Sequence, residues 1–266
     1  MKATTAASGS AERWGPLWGA RPPDWAANED QQIPTYEEAI RRVGVSPGHR
    51  VLDVGCGSGV FLRLAADRGA QPFGLDASET LIEIARARVP KADLRVGDMQ
   101  FLPYDDDAFD VVAGFNSFFF AADMTAALRE ARRVAKPGAP VVIQVWGRPE
   151  ACDLEAMKVV ARPYLPPPPP GTPPAPELWK AGVLDGIAAD AGLAPETTFD
   201  VTWAYEYPDE EALARGMLAA GGLAELAGPG RVDPLRAAIV DALAPHRSPD
   251  GGYRLQNEYH YLVAYA

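Results

Sequence analysis

Between residues 50 and 146, short apolar runs alternate with amphipathic stretches. The runs are Val51-Leu52-Asp53-Val54, Pro72-Phe73-Gly74-Leu75, Leu94-Arg95-Val96, 109–115 and 141–146, each bounded by Gly, Pro or Asp. Their length and their β-branched or aromatic content predict buried strands. The stretches between them have helical spacing. Val60, Phe61, Leu64 and Ala65 share one face and the segment stops at Gly69. A second helix is predicted after the N-cap Ser78, carrying Leu81, Ile82 and Ala85. A third follows Asp123, carries Met124, Ala127, Leu128, Ala131 and Val134, and ends at Lys136-Pro137-Gly138. Such alternation predicts an α/β fold, a parallel sheet with helices on both faces. Right-handed connections make it doubly wound.

The flanks differ in character. Residues 1–10 are rich in Ala, Thr, Ser and Gly, carry no secretory apolar region, and are expected to form a disordered tail. Trp14, Trp18, Trp25 and Tyr36 then fall within 23 residues. They predict a helical segment over 11–45, either a helix pair whose rings pad the sheet edge or a lid excluding water. The core is expected over 46–150. Beyond it, nine of the 26 prolines lie between residues 163 and 176, including the run 166–170. That stretch predicts a stiff, extended surface loop, with a docking site for a polyproline-reading domain as the alternative. A helix over 177–191, a strand over 197–207, helices over 209–220 and 233–244, and a last strand over 258–264 complete the 151–266 part. They are expected to form the end of the sheet and a helical cap over a substrate.

Composition narrows the partners. Hydrophobic residues make up 47% of the 266, enough for one sizeable core, and the 25 Lys and Arg against 36 Asp and Glu leave a net charge of −11. An acidic chain without basic clusters is a poor ligand for nucleic acid or anionic membranes, so a small-molecule partner is expected. No segment has the ~18 consecutive apolar residues of a membrane helix. A cytoplasmic setting, as monomer or homodimer, is the default expectation. Cys56 and Cys152 have no partner at metal-ligand spacing, and Asp105-Asp106-Asp107 reads as a solvated turn, so no metal site is expected.

The chemistry concentrates at the strand ends. Val51-Leu52-Asp53-Val54-Gly55-Cys56-Gly57-Ser58-Gly59 runs straight into a helix. Its glycines allow a sharp turn and close approach of a ligand, and the helix start aims unpaired N–H groups at that ligand. Asp76 closes the second strand, where a carboxylate can accept the two hydroxyls of a ribose. Asp98, followed by Met99, closes the third, where it can accept the exocyclic amine of an adenine. A pyrophosphate site wants G-x-G-x-x-G. Here the spacing is G-x-G-x-G, with Val60 in the place of a further glycine. This disfavours a nicotinamide-dependent oxidoreductase and favours a nucleoside with a smaller, zwitterionic tail.

Residues 50–146 resemble the class I S-adenosylmethionine-dependent methyltransferase family of bacterial small-molecule type. The resemblance rests on Leu52 to Gly59, Gly74-Leu75-Asp76-Ala77-Ser78, Gly97-Asp98-Met99 with Leu102-Pro103, Phe109-Asp110-Val111-Val112, and Arg133-Val134-Ala135-Lys136-Pro137-Gly138, in that order. It implies a seven-stranded Rossmann-like sheet with the last strand antiparallel, and S-adenosyl-L-methionine as cofactor. It further implies that Gly55, Cys56, Gly57 and Gly59 hold the methionyl part, supported by Asp53. Asp76 would take the ribose, Ala77 would lie against the adenine, and Asp98 and Met99 would read it. Phe115 and Asn116, with Ser117, would sit beside the sulfonium and the acceptor, and Trp25 is a further expected contact, as is Tyr36. Phe118-Phe119-Phe120 is either core or the wall of an apolar pocket.

Methyl transfer from a sulfonium needs mainly alignment in a dry cleft, and a base only where the acceptor must lose a proton. His246 and His260 are the candidates for that base, while His49 is expected to be structural. Two functions remain open: transfer of a methyl group to a small, secondary-metabolite acceptor, or a non-methylating step such as cyclisation on the same fold.

Overall fold

The computed structural model describes residues 9–167, 171 and 174–266. The predicted runs form strands β1 (Arg50–Val54), β2 (Gln71–Asp76), β3 (Asp93–Val96), β4 (Val111–Phe115) and β5 (Pro140–Trp146), joined by β6 (Ala194–Tyr207) and β7 (Tyr253–Tyr265). They make one seven-stranded sheet in the order β3-β2-β1-β4-β5-β7-β6. β1 to β5 pair in parallel, and β7 is antiparallel to both β5 and β6. The chain winds outward from β1 to β3, then restarts beside β1 at β4. The crevice between the ends of β1 and β4 is therefore the switch point where such sheets bind ligands.

The helices are α1 (Ala11–Trp18), α2 (Pro22–Glu29), α3 (Ile33–Val43), α4 (Val60–Asp67), α5 (Glu79–Arg88), α6 (Met124–Val134), α7 (Glu155–Ala161), α8 (Val183–Asp190), α9 (Glu210–Ala219), α10 (Leu223–Ala227) and α11 (Val232–Leu243). Two apolar layers sandwich the sheet. One packs α3, α4 and α5 with α9 and α11 around Val51, Phe115, Tyr259 and Tyr261; the other packs α6 and α8 around Leu52, Val112, Ile143 and Leu262. The expected caps are in place. Ser78 accepts from Leu81 N at 3.2 Å and Asp123 from Ala126 N at 3.0 Å, each satisfying a donor that a helix start leaves free.

Several expectations change. The aromatic N-terminal segment is three helices. The helix expected over 177–191 begins only at Val183, because Gly182 takes a left-handed conformation (φ 79) that breaks the helical path. α7 and α10 were hidden by their short length, which leaves little periodicity to read. The Phe118-Phe119-Phe120 run splits between the two readings: Phe118 is buried in the core and the other two are half-buried. Most of the expected tail, residues 1–8, and Pro168–Pro170 of the proline run lie outside the described residues, whereas Pro166 and Pro167 are exposed.

The tips of β1 and β4 meet without room for side chains. A Cβ at Gly55 would lie 2.4 Å from Ser117 Cβ, and one at Gly114 would lie 2.4 Å from Phe118 Cε2. Ser117 Oγ donates to Val54 O at 2.6 Å and ties the two tips together. A Gly114→Val substitution should therefore overpack this junction and cost about 1–3 kcal/mol, read as a lower urea midpoint. An unchanged midpoint would contradict this account of the junction.

Candidate active site

After Val54 the chain turns through Gly55, Gly57 and Gly59, all at positive φ (82, 52 and 82), and α4 starts at Val60. The left-handed backbone at Gly57 and Gly59 is one that side-chain-bearing residues resist. The turn is fixed to β2, with Gly55 N and Cys56 N both donating to Leu75 O at 2.7 and 3.1 Å. Asp76 braces it from the side: Oδ2 accepts from Gly57 N and Oδ1 from Ser78 N, each at 2.8 Å. Each oxygen keeps a second lone pair for a ligand hydroxyl.

A residue without a sequence motif completes the turn. Glu29, at the end of α2, reaches over it and its Oε2 accepts from Ser58 N at 2.8 Å. Asp53 lies behind the turn, 3% exposed, with Oδ1 unpartnered among the described residues. Three buried carboxylates thus share one small volume. Burial pushes Glu29 up from its ordinary 4.5 to about 7, with the Asp76 charge adding to the rise, and hydrogen bonds from Ser58 and the charge of Arg88 opposing it. Burial, then the charges of Glu29 and Asp76, pushes Asp53 well above the usual carboxylate range. Asp76 is raised by burial, against hydrogen bonds from Ser78, Gly57 and Ala77.

These groups border a cavity of about 270 Å³. One side holds Gly55, Gly57, Asp76, Ala77, Met99, Asn116 and Glu29; the other is walled by Trp14, Trp18, Trp25, Phe119, Phe120, Trp146, Met157, Tyr205 and Met217. α1 and α2 bring the tryptophans over the strand ends. Trp14 and Trp18 meet Phe120 edge-on at 4.8 and 5.4 Å, and Trp18 meets Trp25 at 4.5 Å. Two orphaned acceptors lie at this cavity, Gln32 Oε1 and Asn116 Oδ1, the latter on a residue held at φ 49. Buried acceptors without donors are costly.

Of the residues predicted from sequence, Trp25, Gly55, Gly57, Asp76, Ala77, Met99, Phe115 and Asn116 meet at this cavity, as does Tyr36. Cys56 and Gly59 do not line it: Cys56 Sγ packs at Gly74 and Gly59 packs on Ala85. Asp98 borders only an adjoining slot of about 20 Å³. In the ligand-free structure Asp98 is already engaged, its Oδ2 accepting from Ala11 N at 2.8 Å and Ser10 Oγ at 3.2 Å. The start of α1 presents free N–H groups, and a carboxylate is their natural partner. α1 also covers Ala77, where a Cβ at Gly15 would lie 2.3 Å from the Ala77 carbonyl oxygen.

Neither histidine expected as a base reaches the cavity. His260 follows Tyr259 on β7, so it faces the opposite side of the sheet, and its Nδ1 pairs with Asp200 at 2.7 Å in a separate hollow. His246, beyond α11, sits 3.2 Å from Asp153. The sequence signal that could have found Glu29 is its spacing. Trp25, Asn28 and Glu29 stand at i, i+3 and i+4, on one face of a helix that already carried a suspected lid residue. Among the described residues no cluster of three or more His, Cys, Asp or Glu could hold a metal, and no helix is long and apolar enough to cross a membrane.

Residues 52–143 match the family model described as a methyltransferase domain. The chain is 38% identical over 114 residues to the methyltransferase GfsG of Streptomyces halstedii, covering 40% of this chain and 41% of that one. It is 31% identical over 169 residues to an uncharacterized protein of Mycobacterium tuberculosis, covering 61% and 60%. It thus spans well under two thirds of these relatives. Among solved structures, the [4+2]-cyclase SpnF aligns with 25% identity and a TM-score of 0.58, covering 88% of this chain and 80% of that one. Sheet order, glycine turn and domain match together show that residues 52–143 form a methyltransferase domain similar to those of class I S-adenosylmethionine-dependent methyltransferases, and the cofactor this domain implies is S-adenosylmethionine.

The chemistry of the cavity suits that cofactor. It brings an ammonium, a sulfonium charge and two ribose hydroxyls, and the protein offers carboxylates and unpartnered acceptors. On the adenine side the slot is filled by α1.

The raised Glu29 value has a consequence for stability. Between about pH 4.5 and 7 the folded protein binds a proton at Glu29 that the unfolded chain does not, so stability falls as pH rises through that window. Removing the charge with Glu29→Gln should stabilise the ligand-free protein by about 1–3 kcal/mol above pH ~7, and the gain should vanish below pH ~4.5. Denaturation midpoints across this pH series check the sign; a variant less stable than wild type above pH ~7 would refute it.

Proposed function

We propose that this protein transfers the methyl group of S-adenosylmethionine to a small, largely apolar acceptor by in-line displacement. The observation that carries the reading is a single cavity that runs from the glycine turn and Asp76 to an aromatic chamber under Trp14, Trp18 and Trp25. When bound, the cofactor supplies an electrophilic methyl group on sulfur. Asp76 holds the ribose through its remaining lone pairs, while Asn116 and Ser117 fix the end of β4 beside the reacting atoms. The tryptophans with Phe119, Phe120, Met157 and Met217 keep water out, so alignment rather than acid–base chemistry supplies most of the acceleration. Adenine binding, on this reading, requires α1 to lift from Ala77 and Asp98.

Glu29, Asp76, Lys158 and two tyrosines are the titratable side chains that line the cavity, and the tyrosines are fixed as donors. Burial pushes the Tyr36 and Tyr205 hydroxyls up, so both are neutral hydrogen-bond donors at physiological pH. They suit holding an acceptor oxygen, not abstracting its proton. The net charge of −11 keeps nucleic acid out of the acceptor class.

A second reading, cyclisation without methyl transfer, is favoured by the likeness to a [4+2]-cyclase over most of the chain. Mass analysis of turned-over acceptors separates the two. Methyl transfer adds one methylene to the acceptor and releases S-adenosylhomocysteine, whereas cyclisation leaves the mass unchanged and the cofactor intact. Independently, Asp76→Ala should weaken S-adenosylmethionine binding at least about tenfold by calorimetry, through lost charged hydrogen bonds. An unchanged dissociation constant would remove Asp76 from the ribose.

A further inference from the structure

Glu29 is 5% exposed and lies on the glycine turn itself: a Cβ at Gly57 would come 2.7 Å from its Oε2. Oε2 is used by Ser58 N, but Oε1 has no hydrogen-bond partner among the described residues. No cation pairs with it there either. Arg88, whose charge bears on Glu29, donates to Ser58 Oγ at 2.7 Å and pairs with Asp30 at 3.0 Å. A cap for the Ser58 amide needs one acceptor, and a neutral side chain provides that. An ionisable carboxylate buried beside Asp53 and Asp76 is instead a standing cost that an arriving cation offsets.

We infer that Glu29 receives the ammonium of the cofactor's methionyl part and so selects adenosine thioethers that carry an amino-acid tail. The inference rests on the reading that places the methionyl part over residues 55–59. It deepens that reading by naming the group that distinguishes the amino acid from a bare thioether. The charged hydrogen bond would be short-range and enclosed, the setting in which such bonds are strongest.

The other titratable groups around Glu29 are identified. Arg88 faces it from α5, Asp76 from β2, Asp53 and Cys56 from β1 and its turn, Tyr36 from α3 and Tyr205 from β6. On α9, which packs against α2, Arg215 is engaged with Asp24 near the start of α2. None of these supplies the missing cation. With Glu29 held at about 7 in the ligand-free protein, an ammonium docking on it expels a proton when binding occurs below that pH.

The test is calorimetric titration of the full chain, wild type and Glu29→Gln, with two probes. S-adenosylhomocysteine keeps the ammonium and lacks the sulfonium; methylthioadenosine keeps the nucleoside and sulfur and lacks the amino acid. Glu29→Gln should weaken S-adenosylhomocysteine about tenfold or more and leave methylthioadenosine within about twofold. Retained methylthioadenosine binding also reports that the variant is folded. In wild type, S-adenosylhomocysteine binding about one pH unit below the Glu29 value should release close to one proton, read from buffers of different ionisation enthalpy, and the variant should not.

Equal weakening of both probes would make Glu29 a structural cap of the turn and overturn the inference. So would unchanged affinity for both, or the same proton release in wild type and variant. If wild type bound neither probe, the underlying cofactor placement would fall as well. Binding of both without discrimination by Glu29 would sink this inference alone.

Discussion

The glycine turn after β1 exposes backbone N–H groups at the start of α4, and two acidic side chains accept from them. Asp76 takes Gly57 N and Glu29 takes Ser58 N, while Asp53 lies behind with one oxygen unpartnered. A single turn is therefore organised by carboxylates from β2 and α2, segments far apart in the chain, with a third from β1 buried beside it. Their mutual repulsion and burial make the empty site electrostatically costly. The rest of the molecule has to hold these groups in place against that cost. The two-sided apolar sandwich and the interlocked tips of β1 and β4 do so, leaving the negative surplus available to a cationic ligand.

The same logic operates on the N-terminal side with the opposite sign. The start of α1 carries unsatisfied N–H donors, and Asp98 accepts one of them, Ala11 N, together with the Ser10 hydroxyl. Those donors resemble in chemistry what an exocyclic amine would offer, so on the proposed reading the helix and the adenine would compete for one carboxylate. α1 also carries Trp14 and Trp18 into the wall of the cavity. One helix thereby couples the adenine end of the site to the acceptor chamber, because moving it off Asp98 also moves two of the rings that close the chamber.

Much of this was legible in the sequence, for identifiable reasons. Strands β1, β4 and β5 are buried along nearly their whole length and announce themselves as mainly apolar runs, and Ser78 and Asp123 mark helix starts through the side-chain oxygen they contribute. The strand-end acids Asp53 and Asp76 stand next to the glycine turn in sequence or in sheet order, so topology alone brings them together. Glu29 has no such neighbour in sequence; only the folding of α2 across the strand ends takes it there. The histidines failed as predicted bases for a related reason. On β7 alternate side chains face opposite sides, and Tyr259 and Tyr261 take the side turned towards the aromatic core while His260 takes the other. Position in a strand, not chemical suitability, decided that outcome.

This division also explains why likeness to known methyltransferases says so much about one half of the site and so little about the other. The matched domain, residues 52–143, contains the turn, Asp76, Met99 and Asn116, the groups proposed for the cofactor. The chamber beyond takes Phe119 and Phe120 from that domain but most of its wall from Trp14, Trp18 and Trp25 before it and from Trp146, Met157, Tyr205 and Met217 after it. A fold can thus keep its cofactor chemistry while its acceptor changes with the flanking segments. Glu29 crosses this boundary: it is supplied by a flanking helix yet docks on the turn of the shared domain. If Glu29 holds the methionyl tail as proposed, substitutions that reshape α2 for a different acceptor would also alter that hold, and one helix would link the two specificities.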